Sequence, residues 1–404
     1  MKTRLSKVEK REFEYLIKVL SSAVNDTQPP LPYEKISWLS IIERAKFSGL
    51  GAMFSNTVLR LGDTLSDDTK KILTDIKNKE LYLDTLLDFE VEKILKAFEK
   101  HKIKNAPVKG YFLKKEYPRS DFRSVSDFDI LFNREQIDDV KKAYAEIGYE
   151  FTHNDDNQYH FQKEPYVYIE MHATLVHDYE SFYPYLYDQL DRTVKRDGYE
   201  FSCQLTPEDH YTYLLVHSSN HLRKAGLGIR MVLDIYVYYQ NHKDDFDIDY
   251  LDKRLQQLGL QKFEKRVRTV GENWFSSTSP DISFDNFETF IFLSGRLGLV
   301  SSAAMISSLR KISESNKKGK RKTKLSYLLS SLFPNKTSMA VHYPYLDKAP
   351  FLLPVTWCSM WFKRFFIEKN VNVKNGFKNR LGYTKDDVDY YMGILQDVGF
   401  DDVI

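Results

Sequence analysis

The chain of 404 residues contains only two cysteines, Cys203 and Cys358, and little glycine or proline (17 and 13 residues). Two cysteines argue against a disulfide framework or a thiolate zinc site, so a reduced, cytoplasmic compartment is the simplest expectation. No apolar run reaches the roughly 18 residues that a transmembrane helix needs. The segment MKTRLSKVEK is charged and has no apolar core, so it predicts no secretory signal.

The chain also lacks an excess of one charge, because 59 basic residues face 57 acidic ones and the net charge is +2. Nucleic-acid binders are usually strongly basic, so nucleic acid is an unexpected partner. The basic run 317–324 (KKGKRKTK) predicts a solvated loop at a domain edge, with contact to nucleic acid or acidic lipid as the alternative. The apolar segment 351–366 either packs on a helical domain or makes peripheral contact with a membrane surface.

Helical periodicity is abundant on both sides of a central region of mixed character. The predicted helices cover 6–24, two pieces within 33–61, 66–104, 206–221, 229–241, further segments to about 312, and 386–398. Within 105–205, strand-like alternation surrounds one helix at 135–148. We therefore predict an α+β fold in four segments: a helical region (1–104), an α/β core (105–205), a helical domain (206–316), and a basic loop with a helical tail (317–404).

The segment 127–132 (DFDILF) carries two acids at alternate positions of a predicted strand. Side chains alternate along a strand, so Asp127 and Asp129 are predicted on one face and the apolar residues on the other. Neighbouring carboxylates repel unless cations neutralise them, and Mg²⁺ prefers such oxygen ligands. An ordinary surface strand with the same pattern is the alternative interpretation.

A later alternating segment, 167–172 (VYIEMH), places Glu170 and His172 on one face. Together with residues 160–163 it predicts a hairpin whose arm lies beside the Asp127 strand. Three acids brought together in this way are typical of two-metal phosphoryl chemistry. His172 is either a partner of a metal-bound carboxylate, a proton-transfer group, or an ordinary buried histidine.

This pattern resembles the DNA polymerase β-like nucleotidyltransferase superfamily, and within it a poorly characterised bacterial nucleotidyltransferase family. The resemblance runs over most of residues 35–370 and is carried by these pieces: Val108-Lys109-Gly110, Arg123 to Leu131, Gly148-Tyr149, Ile169 to His172, Leu215-Val216-His217, Phe333-Pro334 and Leu352-Leu353-Pro354. It implies a small mixed β-sheet core flanked by N-terminal and C-terminal helical domains.

The resemblance implies a Mg²⁺- or Mn²⁺-dependent enzyme that moves a nucleoside monophosphate from a nucleoside triphosphate (NTP) to a hydroxyl. Asp127 and Asp129 would hold two metal ions, and Glu170 would complete the site or accept the proton of the nucleophile. The acceptor is unknown, with a small molecule, sugar or peptide as the expected class.

One departure from the superfamily concerns the phosphate site. Where Gly-Ser or Gly-Gly usually begins the first helix, this chain has Lys109-Gly110-Tyr111. Gly110 still permits close backbone approach, and Lys109 or Ser124 would replace the missing hydroxyl. Arg123 would hold a phosphate or orient the acids. The alternatives are an exposed Lys109 and a loop salt bridge of Arg123.

His217 and His221 lie four residues apart on a predicted helix, and Arg230 lies on the next. A metal-binding histidine pair is one interpretation. We favour the interpretation that these three residues form a wall of the cleft and, together with His172, contact the acceptor. Two further functions stay open: a catalytically degenerate nucleotidyltransferase fold that only binds, favoured by the altered Gly-Ser position, and a toxin-like transferase that modifies protein or RNA.

Overall fold

A computed structural model describes residues 4–295, except 34, 35, 156, 166, 178, 179, 225 and 278, and beyond them residues 333–336, 339, 343–362 and 385–400. The chain forms two compact units. One comprises Arg4–Asn220 with Leu227–Arg296, and the other includes His221–Gly226 and the described residues beyond 333. The four segments predicted from the sequence, with boundaries at 104, 205 and 316, stay a prediction.

Four helices precede the sheet in the first unit. They are α1 (Lys7–Val24), α2 (Trp38–Phe47), α3 (Gly51–Val58) and the long α4 (Asp67–Lys100). Three of them begin at a serine whose side chain accepts a hydrogen bond from a backbone N–H group: Ser6 at α1, Ser37 at α2 and Ser66 at α4. At α1 the Ser6 backbone N–H also donates to the Glu9 carboxylate. These helices agree with the periodicity of the sequence.

A five-stranded mixed sheet forms the centre of the first unit. Its strands are β1 (Asn105–Val108), β2 (Phe128–Phe132), β3 (Glu150–Asp155), β4 (Gln158–Lys163) and β5 (Val167–His172). They lie in the order β1-β2-β5-β4-β3, and only the central pair, β2 and β5, is parallel. The predicted α+β class is therefore confirmed.

The alternation of β2 separates two apolar cores. Phe128, Ile130 and Phe132 pack with α4 and α6 (Ile137–Glu146) in one cluster. Leu131 packs on the opposite face with Val108 and residues after the sheet. Because both faces are covered, Asp129 lies in the interior with only 3% of its surface exposed. Burial of a charge on this scale requires a compensating partner.

The outer strand β3 was not predicted from the sequence. All six of its residues are exposed, so it has no apolar alternation to mark it, and only its pairing with β4 defines it. The predicted helix at 135–148 is present as a short 3₁₀ turn at Arg134–Gln136 followed by α6. Gly148 follows this helix with φ +83°, a conformation that favours glycine.

Further helices complete the first unit. Between the sheet and these helices lie the short α7 (Tyr183–Leu186) and a ribbon of β6 (Val194–Lys195) and β7 (Cys203–Gln204). The remaining helices are α8 (Pro207–Lys224), whose residues from His221 on belong to the other unit, α9 (Ile229–His242), α10 (Ile248–Leu258), α11 (Gln261–Phe275) and α12 (Asn286–Leu293). The helix starts at Pro207 and Ile229 agree with the prediction.

The second unit contains two described helices, α13 (Leu353–Phe362) and α14 (Lys385–Asp397). Within this unit the Tyr391 hydroxyl donates a 2.7 Å hydrogen bond to the Leu222 carbonyl. The basic run 317–324 and residues 363–366 lie outside the described residues. Within the described part of the chain, the helices lack the combination of length and hydropathy that crossing a membrane requires.

Candidate active site

The centre of the candidate site is set by the register of the parallel strands β2 and β5. Asp129 and Glu170 are direct neighbours across the two strands, and Leu131 is the neighbour of His172. Because side chains at alternate positions share a face, Asp129, Glu170 and His172 lie on the same side of the sheet. The expected proximity of Asp129 and Glu170 is thus present in the structure.

These three side chains form a compact group of metal-ligand type. One donor atom of each lies within 4.8 Å of the others, in the part of the chain that the structure describes. His172 Nε2 is 2.8 Å from Asp129 Oδ1 and 3.7 Å from Glu170 Oε2. Gln158 approaches the other ring nitrogen of His172, with Nε2 at 3.4 Å from Nδ1. His172 is therefore buried against both acids, as a positioning role requires.

Lys109 supplies the positive charge of the site. It lies at the turn between β1 and α5 (Gly110–Glu116), and its Nζ donates a 3.0 Å hydrogen bond to Asp129 Oδ1. Its backbone has φ +51° and ψ −121°, a conformation that residues other than glycine rarely adopt. Backbone strain of this kind is frequent at functional sites, and here it accompanies the contact with the buried acid.

The two acids of the site have opposite pKa shifts. Burial on its own would raise the pKa of Asp129, but the charge of Lys109 and the hydrogen bond of His172 outweigh it and hold the pKa well below its usual range. Burial raises the pKa of Glu170, and the negative charge of Asp129 raises it further. Asp129 is therefore ionised near neutral pH, whereas Glu170 is the better proton acceptor of the pair.

Asp127 lies outside this compact group. It precedes the first residue of β2, is half-buried, and accepts a 2.5 Å hydrogen bond from Ser126 Oγ. It belongs instead to a cleft of about 200 Å³ between α4 and the loop before β2. Residues of both polar and apolar character line it, among them Leu83, Leu87, Ser124 and Asp127. Its expected role as a metal ligand stays a prediction.

Arg123 is engaged in a buried ion pair on α9. Its Nε and Nη2 donate to Asp234 at 2.7 and 3.0 Å, and its Nη1 reaches the Gly110 carbonyl at 3.3 Å. The Tyr117 hydroxyl donates to the same carboxylate at 2.7 Å. The structure therefore gives Arg123 the salt bridge that we considered as the alternative to phosphate binding. Phosphate contact by Arg123 stays a prediction.

Gly110 packs closely against the loop before β2. A Cβ at this position would lie 3.1 Å from both Arg123 Nη1 and a methyl group of Val125. The absence of a side chain therefore lets the loop before β2 close over the start of α5. Ser124 contributes its carbonyl, which accepts a 3.4 Å hydrogen bond from Arg230 Nη1. Arg230 thus contacts the loop, and its expected contact with an acceptor stays a prediction.

The two helical histidines are placed differently. His217 lies one turn beyond Tyr213 on α8, with ring centroids 6.3 Å apart, and the Tyr213 ring lies 5.7 Å from Lys109 Nζ. His217 therefore lies next to a side chain of the site. His221 belongs to the other compact unit. The expected metal or acceptor roles of the two histidines stay predictions.

Three residues of the site were not assigned from the sequence: Tyr117, Tyr213 and Asp234. Tyr213 could have been found, because it lies four residues before His217 and so shares its helix face. No sequence pattern around Asp234 or Tyr117 indicated a role for either residue. Their roles arise from an ion pair between positions 111 residues apart in the sequence.

Residues 34–276 match the model of a protein family described as an uncharacterised nucleotidyltransferase. The match covers α2 to α4, the whole sheet and α8 to α11, whereas α1 lies before it. No protein with a curated description matches the chain. The solution structure of the antibiotic-resistance factor ANT(2'')-Ia is similar at 10% sequence identity and a TM-score of 0.33, over 45% of this chain and 99% of that chain.

Proposed function

The chain belongs to this nucleotidyltransferase family, and we propose that it transfers a nucleoside monophosphate from an NTP to a hydroxyl group of an acceptor. The observation that carries the proposal is the pairing of Asp129 with Glu170 across the parallel strands, with His172 against both. Such a set of acids at one place is costly to bury without a cation, so its presence favours a role that uses a cation.

The donor set fits Mg²⁺ or Mn²⁺. Asp129 and Glu170 offer hard carboxylate oxygens, and the pKa of Glu170 is raised by burial first and by the negative charge of Asp129 second. Asp127, which lines the cleft beside the loop before β2, would be the third carboxylate ligand. A divalent ion held there would offset the charge of the triphosphate and polarise the phosphoryl group under attack.

The side chains divide the remaining work. Glu170 would accept the proton of the attacking hydroxyl, whose oxygen forms the new bond to the α-phosphorus while the bond to pyrophosphate breaks. His172 would hold Asp129 in place through their 2.8 Å contact. A divalent ion bound to Asp129 Oδ1 would compete with Lys109 for that carboxylate oxygen. The Lys109 ammonium, displaced from Asp129, would then bind a phosphate oxygen.

The cleft beside Asp127 is the proposed place for the acceptor. Its leucines would contact an apolar or flat part of the acceptor, and Ser124 and Ser126 would face its polar groups. His217 and Arg230 remain a second proposed acceptor surface.

The test incubates the protein with each NTP labelled at the α-phosphate, Mg²⁺ and a cell extract that supplies acceptors. We expect label in one class of product together with stoichiometric pyrophosphate, and neither with Asp129→Asn. The proposal is wrong if no NTP gives product or pyrophosphate above the level of that variant.

A second function, a binding module without turnover, is favoured by one specific observation. Lys109 already pairs with Asp129, so its ammonium could permanently replace a metal ion. This function predicts NTP binding that does not depend on Mg²⁺, with no pyrophosphate release. Isothermal titration with NTP in the presence of Mg²⁺ or of a chelator separates the two functions.

A further inference from the structure

A second group of ligand-type side chains lies on the hairpin of β3 and β4. His153 is the direct neighbour of His160 across the two strands, and Asp155 lies two residues beyond His153. The register shifts between Phe151 and His153, which makes Thr152 the extra residue of a bulge. Because of this shift, His153, Asp155 and His160 share one face of the hairpin.

The donor atoms converge on one carboxylate oxygen. Asp155 Oδ2 lies 3.4 Å from His153 Nε2 and 3.6 Å from His160 Nε2, and the three donors lie within 4.8 Å of one another. Ligands about 2.0–2.1 Å from one tetrahedral zinc ion are separated by roughly 3.3–3.4 Å. The two distances to Asp155 Oδ2 are therefore close to the separation of ligands around a single ion, and too long for good hydrogen bonds.

The surroundings leave these donors available. His160 Nε2 has no hydrogen-bond partner among the described residues, and its nearest acceptor is the distant Asp155 oxygen. His153 and Asp155 are exposed, so water can occupy a fourth ligand position. On its other side, His160 Nδ1 faces Glu170 Oε1 at 3.9 Å, which leaves Nε2 as the ligand atom.

We propose that His153, Asp155 and His160 form a binding site for a borderline transition-metal ion, with Zn²⁺ as the reference ion. Two imidazole nitrogens and one carboxylate oxygen suit Zn²⁺ and its neighbours, whereas Mg²⁺ prefers oxygen ligands alone. The two rings stack at 4.3 Å with planes 6° apart. Metal binding would therefore require them to rotate until both nitrogen lone pairs point at one ion. The site is independent of the proposed transfer reaction.

The test titrates Zn²⁺ by isothermal calorimetry into the full chain, freed of transition metals beforehand, in a buffer with saturating Mg²⁺ that competes at the Asp129 group. We expect one zinc ion per chain, and binding that is weaker by about tenfold or more in His153→Ala and in His160→Ala. Co²⁺ in place of Zn²⁺ should give the visible absorption of a tetrahedral ion in the wild type only.

Asn154→Ala is the matched control, because residue 154 lies on the same exposed strand and on its opposite face. It should bind Zn²⁺ as the wild type does. Asp129→Asn separates this site from the other group of acids and should also leave zinc binding unchanged. Equal zinc affinity in the wild type and both histidine variants, or zinc binding lost only in Asp129→Asn, overturns the proposal.

Discussion

The buried group around Asp129 and the exposed group around Asp155 use similar side chains in different surroundings. Asp129 is 3% exposed and receives hydrogen bonds from Lys109 and His172 at 3.0 and 2.8 Å. Asp155 lies at the surface, and its histidine neighbours stay 3.4 and 3.6 Å away. Water can solvate the exposed group, whereas the buried one depends on its protein partners.

The two groups are also linked through the sheet. His153, His160, Glu170 and Asp129 are successive neighbours across β3, β4, β5 and β2. One polar row therefore runs from the surface to the interior on one face of the sheet. The difference along this row shows that strand register brings ligand-type residues together, while burial decides how tightly they are paired.

The largest expected difference between the two groups is in activity. Asp129→Asn keeps the side-chain volume but removes the ionised oxygens, so NTP-dependent pyrophosphate release should fall by on the order of a hundredfold to a thousandfold or more. Asp155→Asn is the matched exposed change and should keep wild-type activity. Circular dichroism of both variants checks that the fold is retained. Equal activity of Asp129→Asn and the wild type would remove Asp129 from the proposed mechanism.

The next effect concerns stability and compares a buried arginine with an exposed one. Arg123→Ala leaves the buried Asp234 carboxylate without its cation, and only the Tyr117 hydroxyl still donates to it from this group. The free energy of unfolding should therefore fall by about 3–5 kcal/mol. Arg60→Ala removes an exposed pair with Asp26 and should cost about 1 kcal/mol or less. Urea unfolding measures both.

A similar loss in the two arginine variants would mean that burial does not set the strength of these pairs. If Arg123→Ala unfolds at once, Asp234→Asn with intact Arg123 gives the same comparison. In that variant the arginine keeps its contact with the Gly110 carbonyl, so part of the loop remains held.

The sequence predicted the parts of the molecule that depend on local pattern. The helix starts at Ser6, Ser66 and Pro207 follow from capping residues, and the strand at 128–132 follows from apolar alternation. The proximity of Asp129 and Glu170 was also predicted, as an arrangement in which the hairpin arm could lie beside the first acidic strand. The α+β class and the family followed from the same residues.

The parts that could not be predicted depend on long-range placement. β3 is exposed throughout, so it lacks the alternation that marks a half-buried strand. The pairing of Arg123 with Asp234 joins a loop to α9 across 111 positions, and no spacing rule connects them. The bulge that aligns His153 with His160 is likewise a property of the paired strands.

A smaller effect distinguishes the two proposed roles of Lys109. If Lys109 binds a phosphate oxygen, Lys109→Met should weaken NTP binding in Mg²⁺ by about 1.5–3 kcal/mol, which is about tenfold or more in affinity. The exposed Lys141, which lies 4.7 Å from the Phe151 ring on the hairpin side, provides the control variant Lys141→Met with unchanged affinity. Isothermal titration measures both.

The opposite outcome for Lys109 has its own meaning. Unchanged NTP affinity together with tighter Mg²⁺ binding in Lys109→Met would show that the ammonium replaces a metal ion on Asp129. That result would favour the binding module over the transferase.

The smallest expected effect concerns a histidine that is buried on α8. His210 on α8 packs against the Tyr238 ring at 4.8 Å, and burial lowers its pKa from 6.5 to about 4. Glu116 opposes this shift, while His242 and Arg123 add to it. The folded protein therefore binds this proton less readily than the unfolded chain does. The resulting stability is fully present above about pH 6.5 and is lost as the pH falls towards 4.

Between pH 7 and pH 5 this group alone should lower the free energy of unfolding by on the order of 1–2 kcal/mol. His210→Phe keeps an aromatic ring beside Tyr238 and has no proton to gain, so its unfolding free energy should depend less on pH by that amount. Phe151→Leu changes an exposed residue that carries no titrating proton and should leave the wild-type pH dependence intact. Urea unfolding at several pH values measures the three proteins. Parallel pH profiles for the wild type and His210→Phe would show that burial does not suppress protonation of His210, and the contrast between buried and exposed side chains would then fail.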